Sequence, residues 1–179
     1  MSDLAIIRYP DPRLRKMSEP VTQFTPELRD LALRMVELMK EARGVGLAAP
    51  QVGKNIRLFV INPTGEEQDV RFYVNPVLSE AEGEEEGEEG CLSLPNITTK
   101  VWRSKNLRMQ AQDLQGNPID ERAEGYIARI WQHETDHLNG TMIIDRMGLV
   151  AKLAARRVLK ELQQKWDDAH PAEKKKKRG

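Results

Sequence analysis

Gln132-His133-Glu134-Thr135-Asp136-His137 is the stretch whose reading decides the fold. On a helix, residues four apart lie one above the other on the same face. The imidazoles of His133 and His137 can therefore reach one metal ion, with Glu134 beside the open coordination position. The chain has three histidines, and two of them are here. A charged surface helix without a metal is the competing reading of so short a motif. Ile127, Ile130, Trp131 and Leu138 add an apolar stripe that argues for a buried helix, over about 124–138, closed by Asn139-Gly140. An apolar wall beside a metal would dry the site and strengthen its electrostatics.

Outward from that helix, the upstream sequence supplies strands. Ile56–Asn62 and Arg71–Asn75 read as strands, and Leu107, Met109 and Ala111 alternate with polar residues as in a half-buried one. Between them, Ser79–Glu89 is acidic and reads as a solvated loop, lacking the pattern of a calcium-binding loop. Gln115–Pro118 reads as a turn, and Met142-Ile143-Ile144 as a short strand. Thr25-Pro26 starts a helix that carries Leu28, Leu31, Met35, Leu38 and Met39 to about residue 42, with Gly44 as its C-cap. The small residues of Gly44–Gly53 allow a tight turn or close approach of a ligand; Asn55 after Gly53-Lys54 rules out a phosphate-binding loop. From Leu149, apolar residues at helical spacing interleave with Arg156, Arg157 and Lys160, giving a basic amphipathic helix over 149–168 before a disordered basic tail over 169–179. The expected fold class is α+β: short, mostly antiparallel sheets around a central metal-binding H-E-x-x-H helix, with an N-terminal helix and a C-terminal helix.

Composition sets the bounds. At 179 residues, 39% apolar and 31% charged, the chain suits one soluble globular domain with a core of its own. One cysteine allows no internal disulfide and fits a reducing compartment. The N-terminus lacks a signal-peptide pattern and no apolar run approaches a transmembrane length, so the cytoplasm is the expected location and no membrane partner is expected.

Two histidines do not complete a catalytic metal site, which needs three protein ligands and an open position. Cys91 is the best third candidate, as the only thiol and a soft donor. His170, beside a proline near a lysine-rich end, is a poor one. An H-E-x-x-H metalloendopeptidase is the alternative. Its longer three-histidine form fails here, because Ile143 stands where the third histidine belongs. The glutamate-ligand form would have to use Glu161, in the basic helix.

Three segments in order resemble the peptide deformylase family (bacterial type): Gly44-Val45-Gly46-Leu47-Ala48-Ala49-Pro50-Gln51, Glu89-Gly90-Cys91-Leu92-Ser93 and Gln132–His137. Arg8–Arg15 is also similar to the family's start, and the likeness spans roughly 4–148. The resemblance implies a catalytic domain over 1–148 and a hydrolase that removes the formyl group from N-formylmethionyl nascent polypeptides, releasing formate. It implies that Cys91, His133 and His137 hold one divalent metal, Fe²⁺ natively, with Zn²⁺ or Ni²⁺ able to substitute. Glu134 would move the proton, the Gln51 amide and the Leu92 N–H would stabilise the oxyanion, and Val45, Gly46 and Gly90 would line the peptide's path. Glu89 and Arg103 would form a supporting pair behind the cysteine loop. Thr98 stands where many members carry an arginine facing the substrate entrance, and Trp102, expected to be a packed aromatic, where proline is common. A helix placed like 149–168 can dock near the ribosomal exit tunnel in this family, and the basic residues here suit rRNA phosphates. A monomer is expected, and no DNA partner.

Overall fold

A computed structural model of the chain describes residues 4–171. Thr25 caps α1 (Pro26–Glu41), its hydroxyl accepting from the Leu28 N–H at 3.4 Å. The helix does not end on Gly44. The left-handed position falls on Arg43, at φ 56°, and the Gly44 N–H reaches back to the Met39 carbonyl at 2.8 Å. Gly44 is small for another reason: a Cβ there would stand 2.7 Å from Cδ1 of Leu92.

Five antiparallel strands follow in sequence order across one sheet: β1 (Gly46–Ala48), β2 (Leu58–Ile61), β3 (Arg71–Cys91), β4 (Leu94–Gln112) and β5 (Pro118–Glu124). β2 is buried throughout, and its two-residue period sorts its side chains. Leu58 and Val60 pack with Leu47, Met35 and Met39 on the α1 side. Phe59 and Ile61 pack with Tyr73, Met109 and Trp131 on the side of α2 (Gly125–Leu138). α2 touches all five strands.

The strands are not all short. β3 and β4 run 21 and 19 residues, forming a hairpin whose two-residue turn is Leu92-Ser93, between the paired Cys91 and Leu94. Residues 79–89, expected as a loop, belong to β3, with register shifts after Val74, Ser79 and Gly90. The reason is charge on the partner strands. Arg108 Nη1 meets Glu80 at 2.8 Å and Lys100 meets Glu86 at 3.5 Å, while Arg122 also pairs with Glu80. Apart from the buried Glu89, the acidic residues remain exposed, and Glu80 and Glu86 face cations across the strands.

Met142–Ile144 is not a strand. Ile143 opens a one-turn helix, α3 (Ile143–Arg146), because Asp145 accepts from the Met142 N–H at 2.8 Å. Met142 and Ile143 join a third apolar cluster with Leu94, Ile97 and Val101, roofed by Ala155 and Leu162 of α4 (Leu149–Ala169). At the end of α4, Ala169 is still helical and His170 stacks on Trp166 at 3.8 Å. The rest of the tail expected over 169–179 lies outside the described residues from 172 onward. Among the described residues, no helix is long and apolar enough to cross a membrane.

Candidate metal centre

The hairpin tip brings Cys91 to the inner face of α2. One ligand atom each from Cys91, His133 and His137 lies within 4.8 Å of the others. The Cys91 Sγ stands 3.4 Å from His137 Nε2. A tetrahedral centre with bonds of about 2.3 Å to sulfur and about 2.0 Å to nitrogen separates its ligand atoms by roughly 3.3–3.6 Å. The Cys91–His137 separation therefore suits two ligands of one ion. Two further observations fit a metal. Glu89 Oε2 lies 2.9 Å from His133 Nδ1, the partner that fixes a ligating imidazole. And Oε2 of Glu134, 4% exposed, has no hydrogen-bond partner among the described residues.

Electrostatics follows from burial. Glu134 is pushed up to about 7, first by desolvation, with the charges of Glu89 and Asp136 adding to it. A cation held alongside would draw it back down. Burial also opposes the charge of Glu89, but hydrogen bonds from Arg103 and His133 outweigh it and keep its carboxyl well below the usual range. Burial lowers His137 well below the ordinary histidine value, helped by the charge of His133.

Gly46 is needed for Glu134 to sit where it does. A Cβ at 46 would stand 2.3 Å from Glu134 Oε1. Gln51 is 1% exposed and held at both ends of its amide. Its Oε1 accepts from the Ala48 N–H at 2.9 Å, while Nε2 donates to Ser93 Oγ at 3.2 Å and points at Cys91 Sγ at 3.7 Å. A cleft of about 380 Å³ opens over these groups. Val45, Gly46, Gln51, Glu89, Gly90, Cys91, Leu92, Thr98, His133 and Glu134 all line it.

Arg103 is buried behind the cleft. It grips Glu89 through Nε at 2.8 Å and Nη2 at 2.9 Å, and reaches Asp136 through Nη1 at 2.6 Å. Glu89 thus orients the motif helix directly, and not only the cysteine loop. Sequence reasoning missed Asp136, Ser93 and Arg129, whose Nη1 donates to Glu89 Oε1 at 2.9 Å. Asp136 lay inside the motif and Arg129 four residues before His133, so helical spacing was the available signal. Trp102 is not packed: it is 60% exposed and lies opposite Glu86. Ile143 is a core residue at 2% exposure, and Glu161 pairs with Arg157 at 3.0 Å on α4. Neither belongs to the ligand cluster, so the endopeptidase reading finds no third ligand in either.

Residues 4–152 match the family model described as polypeptide deformylase. A peptide deformylase of Rhodopirellula baltica is 44% identical over 147 residues, covering 81% of this chain and 73% of that protein. One of Thermotoga maritima is 43% identical over 155 residues, covering 86% and 93%. Among solved structures, a Plasmodium falciparum peptide deformylase superposes with a TM-score of 0.90 at 38% identity, covering 92% of this chain and 98% of that one.

Proposed function

The chain belongs to the polypeptide deformylase family and is a hydrolase acting on N-formylmethionyl nascent peptides; from that premise we propose which of its atoms carry the reaction. Cys91, His133 and His137 hold one divalent metal, Fe²⁺ natively, replaceable by Zn²⁺ or Ni²⁺. When bound, the metal supplies Lewis acidity, which makes a water nucleophilic near neutral pH. Glu134 accepts the proton of the attacking water and returns it to the departing amine. The Gln51 amide and the Leu92 N–H donate to the oxyanion that develops on the formyl oxygen. Val45, Gly46 and Gly90 guide the peptide, the backbone of Val45 and Gly46 pairing with it like an added strand. Glu89 and Arg103 hold His133 in its ligating orientation. The α2 helix is thus the centre of the fold in function as well as in packing.

One observation carries this reading. Three soft or borderline donors converge within 4.8 Å, beside a buried carboxylate oxygen that has no partner among the described residues. The test is metal content and formate release from a formyl-Met-Ala peptide. Glu134→Ala should keep the metal and lose rate by about 10²–10⁴-fold, the usual worth of a positioned proton-transfer group. Retained turnover would remove Glu134 from its role, and full metal content in Cys91→Ser would remove the thiolate from the ligand set.

The outer parts of the molecule take other roles. Residues 1–148 form the catalytic domain, and the helix over 149–168 presents Arg156, Arg157 and Lys160 to rRNA phosphates. The enzyme acts as a cytoplasmic monomer. Co-sedimentation with ribosomes should weaken when those three cations are changed to glutamate in the full chain. Deleting the helix would be a poorer test, since it roofs the third core cluster.

A further inference from the structure

The acidic run contains a glycine, Gly87, that the hydrolysis does not account for. It lies in β3 opposite Val101 of β4, and its backbone φ is not positive. One neighbour explains the missing side chain. A Cβ at 87 would stand 2.7 Å from both Cζ and Nη2 of Arg129 and 2.9 Å from Nε. The guanidinium of Arg129 therefore rests against bare backbone.

Arg129 lies one helical turn before His133 on α2, so both face the hairpin. Its side chain is 11% exposed, and both terminal nitrogens of its guanidinium donate. Nη2 donates to the Glu85 carbonyl at 2.8 Å. Nη1 faces the carbonyls of Val101 at 2.9 Å and Gly87 at 3.4 Å, and Oε1 of Glu89 at 2.9 Å. A guanidinium only donates and stays charged. Glu89 is the one carboxylate among these partners. With Arg129 in place each oxygen of Glu89 has two donors: Oε1 accepts from Arg103 Nε and Arg129 Nη1, Oε2 from Arg103 Nη2 and His133 Nδ1. The tilt of that carboxylate sets the direction of His133. Arg129 also lines the cleft beside Tyr126 and Ile130.

We infer that Arg129 is a positioning residue, seated on Gly87, that locks the Glu89 carboxylate behind His133 and ties α2 to the β3–β4 hairpin along the cleft wall. It acts through Glu89 and meets neither metal nor scissile bond. The inference rests on His133 being a metal ligand, as proposed above.

The test is a double-mutant cycle on the full chain: Arg129→Met, Gly87→Ala and the pair together. Gly87→Ala disturbs the seat without removing the buried cation. The readouts are the rate of metal loss to excess chelator, and KM and kcat on a formyl-Met-Ala peptide. Outer partners of metal ligands usually matter by 10–100-fold, and Arg103 still holds Glu89, so each single variant should speed metal loss by about 5–10-fold. The double variant should lose metal no faster than Arg129→Met, because an empty seat cannot be further disturbed. KM should rise in all three, through the altered cleft wall. Metal loss unchanged in both singles, or a double equal to the product of the singles, would overturn the inference. A wild type holding no stoichiometric metal would instead sink the ligand assignment beneath it.

Discussion

At the scale of single residues, the site depends on what is absent as much as on what is present. Gly46 has no Cβ, and that space is occupied by the Glu134 carboxylate. Gly46→Ala should leave a folded protein whose kcat falls by about 10²-fold, the cost of roughly 1 Å of misplacement at a reacting group. Steady-state kinetics on a formyl peptide checks it, and an unchanged kcat would mean that Glu134 need not sit there. Away from the site, Tyr73 offers a test of burial. It is 1% exposed, its hydroxyl lies 2.9 Å from Glu121 Oε2, and desolvation first, then the Glu121 charge, raises it to about 12. An unfolded tyrosine ionises near 10, so the unfolded chain releases its proton first. The contribution is whole below pH 10 and is lost as pH climbs to 12, worth roughly 2–3 kcal/mol at 1.36 kcal/mol per unit. In urea titrations, wild type should lose that much more stability than Tyr73→Phe between pH 9 and pH 12. Parallel losses would place the hydroxyl in contact with water.

At the scale of elements, legibility followed locality. α1 and α2 were readable because caps and an apolar stripe lie within a few residues of one another, as Thr25, Pro26 and Asn139-Gly140 do. The ligands were readable because each carries distinctive chemistry. Residues 79–89 were not, because what makes them a strand is a set of cations on β4 and β5, twelve or more residues away. Met142–Ile144 was misread because three apolar residues fit a strand or a buried helix turn equally, and the Asp145 cap decides it. The β3–β4 hairpin owes its fixed place on α2 to Arg103, 3% exposed between Glu89 and Asp136. Removing one partner of a buried ionic cluster costs about 3–5 kcal/mol, because the remaining charges stay buried. Arg129 still serves Glu89 and Arg146 still serves Asp136, so Arg103→Met should fall at the low end, about 3 kcal/mol. Chemical denaturation measures it; a loss under 1 kcal/mol would show that the flanking arginines suffice.

At the scale of the whole molecule, the sheet divides the core into an α1 side and an α2 side, and a third cluster sits under α4. The three ligand residues come from two elements only, the hairpin tip and α2. The metal therefore acts as a cross-link between the strand-borne and helix-borne halves of the α2 side, while α1 is bound to the sheet by apolar contact alone. An ion that binds the folded chain and not the unfolded one stabilises it by mass action, about 2.7 kcal/mol when present at a hundred times its dissociation constant. For a domain of this size 1 kcal/mol shifts the midpoint by about 2–4 °C, so stripping the metal should lower it by roughly 5–10 °C. The same treatment of Cys91→Ser should shift it far less, because one side of the cross-link is gone. Differential scanning calorimetry with and without chelator, on both proteins, gives the comparison. An equal shift in the two would mean that the ion is held by α2 without the hairpin, and the two halves would then owe their contact to Arg103 and Arg129 rather than to the metal.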